Sequence, residues 1–350
     1  MSKKMRDLFE MKKLDIDFYE KNLKDFLPDS IVDIHTHVWL DSLVKHKDDE
    51  LSKIAAWPSK VAHENSIEHL KRSYELLFPG KSVTPVIFSN ILDKENLDSL
   101  NNYCATCATK NNYPALAVVR PDWDADKLEH IIQEGNFYGA KVYLTFSASY
   151  IPVNEIRIFD FLPHHQLEIL NRHGWVAILH ISRPQRLKDS VNLAQLLEIE
   201  RRYPNIKLVV AHVGRAYCLE DVGDAFEVLK ETQRMLFDIS ANTNADVFKI
   251  LIDTVGPKRI LFGSDMPITT MRMRRICENG NYVNLVPKGA YGDVSDDPHM
   301  REVEDTEAEK LTFFIYEQID AFRKASIKCR LSNNDIEAVF NGNSRKILGL

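Results

Sequence analysis

No stretch of this 350-residue chain approaches the roughly 18 consecutive apolar residues of a membrane span, which excludes a helical membrane protein. The amino-terminal MSKKMRDLFEMKKLDIDFYEKNLKDFL is charged throughout and lacks the apolar core of a signal peptide, so the chain reads as cytoplasmic. Cysteine is scarce. The five present are scattered and odd in number, and do not describe a disulfide framework. Cys104 and Cys107 form a CxxC, but no second CxxC exists and YCATCATK looks like the end of a helix, so structural cysteines are expected there rather than a redox or zinc pair. A formal charge of -6, with no Lys/Arg-rich block and no stacked aromatic motif, argues against nucleic acid. Internal repeats, low-complexity tracts and convincing linkers are also missing. What remains, 44% hydrophobic and 27% charged, is an ordinary globular composition.

Against that background residues 31–40, IVDIHTHVWL, stand out. Alternate residues on a strand share a face, so His35 and His37 point the same way and can act as a metal hook. Three further apolar runs end in a polar residue. WVAILH at 175–180 ends in His180, NIKLVVAH at 205–212 in His212, and KRILFGSD at 258–265 in Asp265. Near-continuous apolar runs are what strands covered on both faces look like. In a (β/α)8 barrel the C-terminal ends of such strands converge on one rim.

Candidate strands lie at 31–37, 83–89, 115–120, 140–146, 175–181, 206–212, 235–240 and 259–264, separated by helical stretches such as LAQLLEIERR at 193–202. The expected fold is therefore a distorted (β/α)8 barrel of the TIM type. Residues 1–30 form a helical leader broken by Pro28, and 31–350 a single barrel domain. Two excursions exceed the barrel, 41–80 after strand 1 and the polar, Gly/Pro-punctuated 266–310 after strand 8. Both are read as insertions, helical in the overall fold assignment, that leave from the rim and wall or lid the pocket.

His35, His37, His180 and Asp265 form the expected ligand set. Three imidazoles and a carboxylate suit one divalent ion, Zn2+ first, with Mn2+, Fe2+ or Co2+ also admissible. Water on such an ion has its pKa lowered towards about 7 and becomes a nucleophile. His212 accepts the proton or stabilises developing charge. Asp265 combines weak ligation with proton shuttling, and the sequence does not separate its roles. Asp33 is expected deeper in the barrel as a structural group. Lys141, inward on GAKVYLTF, becomes a carbamate bridge, binds a substrate carboxylate, or pairs with a buried carboxylate such as Asp33. Arg183 either clamps a substrate carboxylate or forms a surface salt bridge. Arg215, Arg272, Arg274 and Arg275 are weaker candidates of the same kind. His46, His63, His69, His130, His164, His165, His173 and His299 read as surface or capping residues.

In addition, DIHTH at 33–37, VVRP at 118–121, GAKVY at 139–143, AILH at 177–180, YPNIKLVVAHVGR at 203–215, ILFGSDMP at 260–267 and NGNSRKILGL at 341–350 resemble, in order, the motifs of the amidohydrolase superfamily. The likeness is to the amidohydrolase-related branch that contains aminocarboxymuconate semialdehyde decarboxylase, resorcylate-type decarboxylases, hydrolases and lactonases. The resemblance implies a distorted barrel with His35, His37, His180 and Asp265 as ligands and His212 as the active-site histidine. It also implies a Lys141 that is not a carbamate bridge, hence one metal. The expectation is a metal-dependent hydrolase of a small, carboxylated substrate. The alternatives are a non-oxidative decarboxylase and a non-catalytic ligand-binding barrel. A homo-oligomer is left open.

Overall fold

Short runs of Val, Ile, Leu and Ala with no polar alternation can be buried on both faces, and in the computed structural model, which describes residues 8–45, 61–91, 93 and 95–350, eight of them form parallel strands. These are β1 (Ser30–His37), β2 (Ser82–Phe88), β3 (Ala117–Val118), β4 (Gly139–Val142), β5 (Val176–Leu179), β6 (Lys207–Val210), β7 (Leu236–Asp238) and β8 (Ile260–Leu261). All eight fall on the expected segments. They are distributed over a β1–β2 pair and a six-stranded sheet in the order β3 to β8, rather than one eight-stranded sheet.

Backbone hydrogen bonds cross both seams. Leu116 N donates to Ile87 O at 3.0 Å beside β2, while Ile34 N donates to Phe262 O at 3.0 Å and Asp265 N to His35 O at 2.7 Å beside β1. Asp33 reinforces the second seam from within: its Oδ1 accepts from His35 N and from Ser264 N, and its Oδ2 from the Tyr74 hydroxyl at 2.8 Å. Asp33 is thus structural, and its partners do not include Lys141.

Helices follow the strands in alternation. Those at Ile67–Leu77, Ala125–Glu134, Ser190–Arg202 and Ala245–Val255 begin at Ser66, Asp124, Asp189 and Asn244, whose side chains accept otherwise unpaired N–H groups of the first turn. Among the described residues no helix is long and apolar enough to cross a membrane. Residues 46–60 of the first excursion, and with them His46, lie outside the described residues; what is described there includes the helix Ile67–Leu77.

The second excursion is helical only at the short turns Ile268–Thr270 and Asp305–Ala308. Its body is a three-stranded sheet of β9 (Arg274–Glu278), β10 (Asn281–Pro287) and β11 (Met300–Val303), with β10 antiparallel to β9 and parallel to β11. The physical reason lies between β9 and β10. Asn279 and Gly280 both adopt positive φ, 50° and 75°, the backbone a two-residue hairpin demands, and Asn-Gly supplies it at the least steric cost. Beyond the hairpin, Val283, Leu285, Val303 and Leu311 bury one another as a small separate core.

Two long-range ties fix this sheet and the amino-terminal segment. Cys218 and Cys277 form a disulfide between the segment after β6 and β9, a pairing that cysteine spacing did not reveal; Cys104, Cys107 and Cys329 are free. Cys104 is sealed in the helix Leu97–Asn111, where burial pushes its thiol well above the ordinary range. Arg272, weighed above as a rim clamp, instead holds Asp15 of the helix Lys13–Phe18 through both of its terminal nitrogens, at 2.9 and 2.7 Å, with Asp15 fully buried.

Alkylation of the unfolded, unreduced protein should therefore modify three of the five cysteines, as read by intact mass. Five modified thiols would show that the bridge does not form. Arg272→Leu leaves the Asp15 carboxylate buried without its cation and should lower the unfolding free energy by about 3–5 kcal/mol in denaturant titration.

Candidate active site

The strand ends deliver their polar residues to one cavity of about 1010 Å³, which His35, His37, Lys141, His180, His212 and Asp265 all line. The five positions picked out from strand ends, and Lys141 within the fourth strand, are therefore neighbours of one space. His35, His37 and Asp265 go further, each offering a ligand atom within 4.8 Å of the others.

The hydrogen-bond inventory of this trio is unbalanced. His35 Nδ1 lies 2.9 Å from Asp238 Oδ2, so the neutral ring donates there and has only a lone pair left at Nε2. That atom faces Asp265 Oδ1 at 3.4 Å. His37 Nδ1 lies 3.3 Å from the Ser89 carbonyl, which can only accept, and 3.4 Å from the Tyr143 hydroxyl; donation to the nearer carbonyl leaves a lone pair on Nε2, 3.2 Å from the same Asp265 oxygen. In those tautomers three acceptors converge on one point. Protonating His35 would relieve this, but burial lowers its pKa. A cation at the point relieves it directly, and the donor set is one that borderline divalent ions accept.

His180 is not within that 4.8 Å group. It stands edge-on to His212, ring centroids 5.3 Å apart, and its Nδ1 is buried without a hydrogen-bond partner. Burial, with Arg215 beside it, keeps it neutral. A buried imidazole nitrogen with nothing to bond is the second feature that a ligand role would explain.

His212 is oriented by the end of β7. Its backbone N donates to Asp238 Oδ1 at 2.9 Å, and its Nδ1 sits 3.1 Å from Ser240 O and 2.9 Å from Ser240 Oγ. Donation to that carbonyl leaves Nε2 as the acceptor. Burial lowers its pKa to about 4, so the ring is neutral at pH 7. The residue opens a left-handed turn, with His212, Val213, Gly214 and Arg215 all at φ between 51° and 61°. Three of these four carry a Cβ and so pay a steric cost there; Gly214 does not, and a Cβ on it would come within 2.5 Å of Leu187.

Asp238 was not singled out above, yet it holds His35 by one oxygen and the His212 backbone by the other. Burial would raise it, but His35 beside it holds it below the ordinary carboxylate range. The signal was present in LFDIS, since Asp238 and Ser240 alternate at a strand end as His35 and His37 do.

Lys141 is buried on β4, and among the described residues it forms no ion pair; its Nζ lies over the rings of Tyr143 and Phe88, at 4.5 and 5.6 Å. Burial brings its pKa down to about 8. Arg183 lines the cavity, but its Nε is taken by Asp189 at 2.9 Å and one terminal nitrogen by Glu155 O at 3.3 Å, so both readings of it retain a basis. Arg274 is exposed against Glu317. His299, read as a surface or capping group, lines the cavity with its ring stacked on Tyr282 at 4.1 Å.

A family model described as amidohydrolase matches residues 32–350. No curated protein sequence matches. Among solved structures, 4-oxalomesaconate hydratase from Rhodopseudomonas palustris aligns at TM-score 0.55 and 17% identity over 91% of this chain and 95% of its own. A dihydroxybenzoic acid decarboxylase from Polaromonas sp. JS666, with bound manganese and 2-nitroresorcinol, aligns at 0.57 and 14% over 92% and 98%. An amidohydrolase from Burkholderia multivorans with bound zinc aligns at 0.55 and 13% over 91% and 99%. These are likenesses of fold.

If Asp238 positions His35 for a cation, Asp238→Asn should weaken zinc binding by roughly 10–100-fold, measured by competition with a chromogenic chelator. Unchanged affinity would reduce Asp238 to a brace for the His212 backbone.

Proposed function

The chain belongs to the amidohydrolase family, and from that premise we propose that it is a metal-dependent hydrolase of a small, carboxylated molecule, with residues 31–350 as one (β/α)8 domain closed at the two seams. The carrying observation is the meeting of His35, His37 and Asp265 as mutual acceptors around one point. Those three residues and His180 would hold one divalent ion, Zn2+ or Mn2+. When bound, the ion supplies Lewis acidity, polarising a substrate oxygen and acidifying water.

The chain's own groups then have separate tasks. His212 Nε2, neutral and facing the cavity, takes up a proton, and Ser240 holds the ring in the tautomer that permits this. Asp265, 3.2 Å from His37, is the second group able to shuttle a proton. Lys141 is a buried cation among aromatic rings, which makes it the natural counter-charge for a substrate carboxylate. That same placement favours a second reading, non-oxidative decarboxylation, in which Lys141 holds the departing carboxylate and His212 or Asp265 delivers a proton to carbon.

A panel of lactones, amides and hydroxybenzoates distinguishes the two: ring opening or amide cleavage supports hydrolysis, and CO2 release without water uptake supports decarboxylation. On whichever substrate turns over, EDTA should abolish activity and Zn2+ or Mn2+ restore it. His212→Gln should cut kcat by roughly 10²–10⁴ while retaining the ion. Full activity in metal-stripped protein would overturn the proposal.

A further inference from the structure

Four arginines line the cavity, and they divide into two kinds. Arg183 and Arg186 are neutralised, by Asp189 at 2.9 Å and by Asp221 at 2.7 Å. Arg215 and Arg275 form no ion pair among the described residues. Arg275 Nε donates to Asn284 Oδ1 at 2.8 Å and its Nη1 to Ala241 O at 2.6 Å, both neutral acceptors, and its Nη2 makes no hydrogen bond among the described residues. Its guanidinium lies over the rings of Tyr217, Tyr282 and Phe314 at 4.4, 4.7 and 4.8 Å. Arg215 donates only to Arg183 O, at 3.5 Å. Asp293, Asp296 and Asp297 also line the cavity, and among the described residues no ion pair joins them to either arginine.

A cation held by neutral groups and flat rings is fixed in direction and still short of a counter-charge. Arg275 is positioned for this by covalent means as well. It stands two residues from Cys277, whose disulfide partner Cys218 directly follows Tyr217, so the cation and one ring beneath it are cross-linked. Arg275 and Tyr282 come from the inserted sheet, whereas Arg215 and Tyr217 follow β6.

We infer that Arg275, over the rings of Tyr217 and Tyr282, and Arg215, on the segment after β6, form a second anion subsite that grips the non-reacting carboxylate of a dicarboxylate substrate. The inserted sheet thereby selects substrates by their far end. The inference rests on the preceding reading only in assigning the reacting end to the His35, His37 and Asp265 centre. A guanidinium with a free terminal nitrogen and a carboxylate form charge-assisted hydrogen bonds, and a planar or conjugated body suits the aromatic walls.

The test is calorimetric titration of the zinc-loaded full chain with benzoate, isophthalate and terephthalate, the last two placing their carboxylates at different spacings. At least one dicarboxylate should bind ten-fold or more tightly than benzoate. Arg275→Met should bring it to within two-fold of benzoate, with zinc content and benzoate affinity unchanged. Arg215→Met, on a different element, should reduce the same preference and serves if the first variant fails to fold. Equal binding of all three acids by the unmodified protein overturns the inference, as does an undiminished preference in both variants. A chain that takes up no zinc would instead remove the proposed function, and the benzoate–dicarboxylate comparison would still be readable.

Discussion

Two imidazole nitrogens that each turn a lone pair towards one carboxylate oxygen, at 3.4 and 3.2 Å, are not attracted to it. The scaffold must hold them together, and much of the surrounding architecture can be read as the means. The strand-end segment 263–266 is stitched to β1 by Asp265 N to His35 O and by His37 N to Met266 O, at 2.7 and 2.9 Å. Asp33 clamps Ser264 N at 2.8 Å, and the Thr269 hydroxyl holds Ser264 O at 2.7 Å. Asp265 itself sits at φ 63°, a conformation that costs energy in any non-glycine residue. Such strain persists only where neighbours over-determine the backbone, and here each neighbour is buried.

The same economy explains what was legible in the sequence. Strands buried on both faces carry almost nothing but apolar residues, so each polar side chain at their ends is conspicuous. His35, His37, His180, His212 and Asp265 were visible for that reason, and all line one cavity. Asp238 was equally conspicuous in LFDIS, but it serves His35 and His212 rather than the cavity, and nothing in a strand pattern separates those tasks. The inserted sheet was misread because its strands are half exposed and rich in charge, as in RRICE, so the decisive evidence was the Asn279-Gly280 pair rather than any apolar period. Arg275, Arg274 and Arg272 stand close together in sequence and meet three different fates, in the cavity, on the surface and against Asp15. Only three-dimensional placement separates them.

The cavity combines two chemistries that differ in their demands. The imidazole–carboxylate end needs buried neutral rings, and burial supplies them by lowering the pKa of His35, His180 and His212. The arginine end needs charge without a fixed partner, and it obtains that from aromatic faces and backbone carbonyls instead of carboxylates. Lys141 lies between these regimes, fully buried yet close enough to Asp265 and Asp238 for both to favour its charge. The C-terminal ends of parallel strands can host both because strand ends are rigid while the segments that leave them are free to vary.

The Cys218–Cys277 bridge closes a loop spanning 59 residues of chain that includes β7 and β8. Both of its ends leave the same rim, so neither can move far without the other. The first strand of the inserted sheet is accordingly leashed to the turn after β6, and the cation of Arg275 travels with the ring of Tyr217 rather than apart from it. For a binding wall this makes two distant stretches of chain one piece of surface.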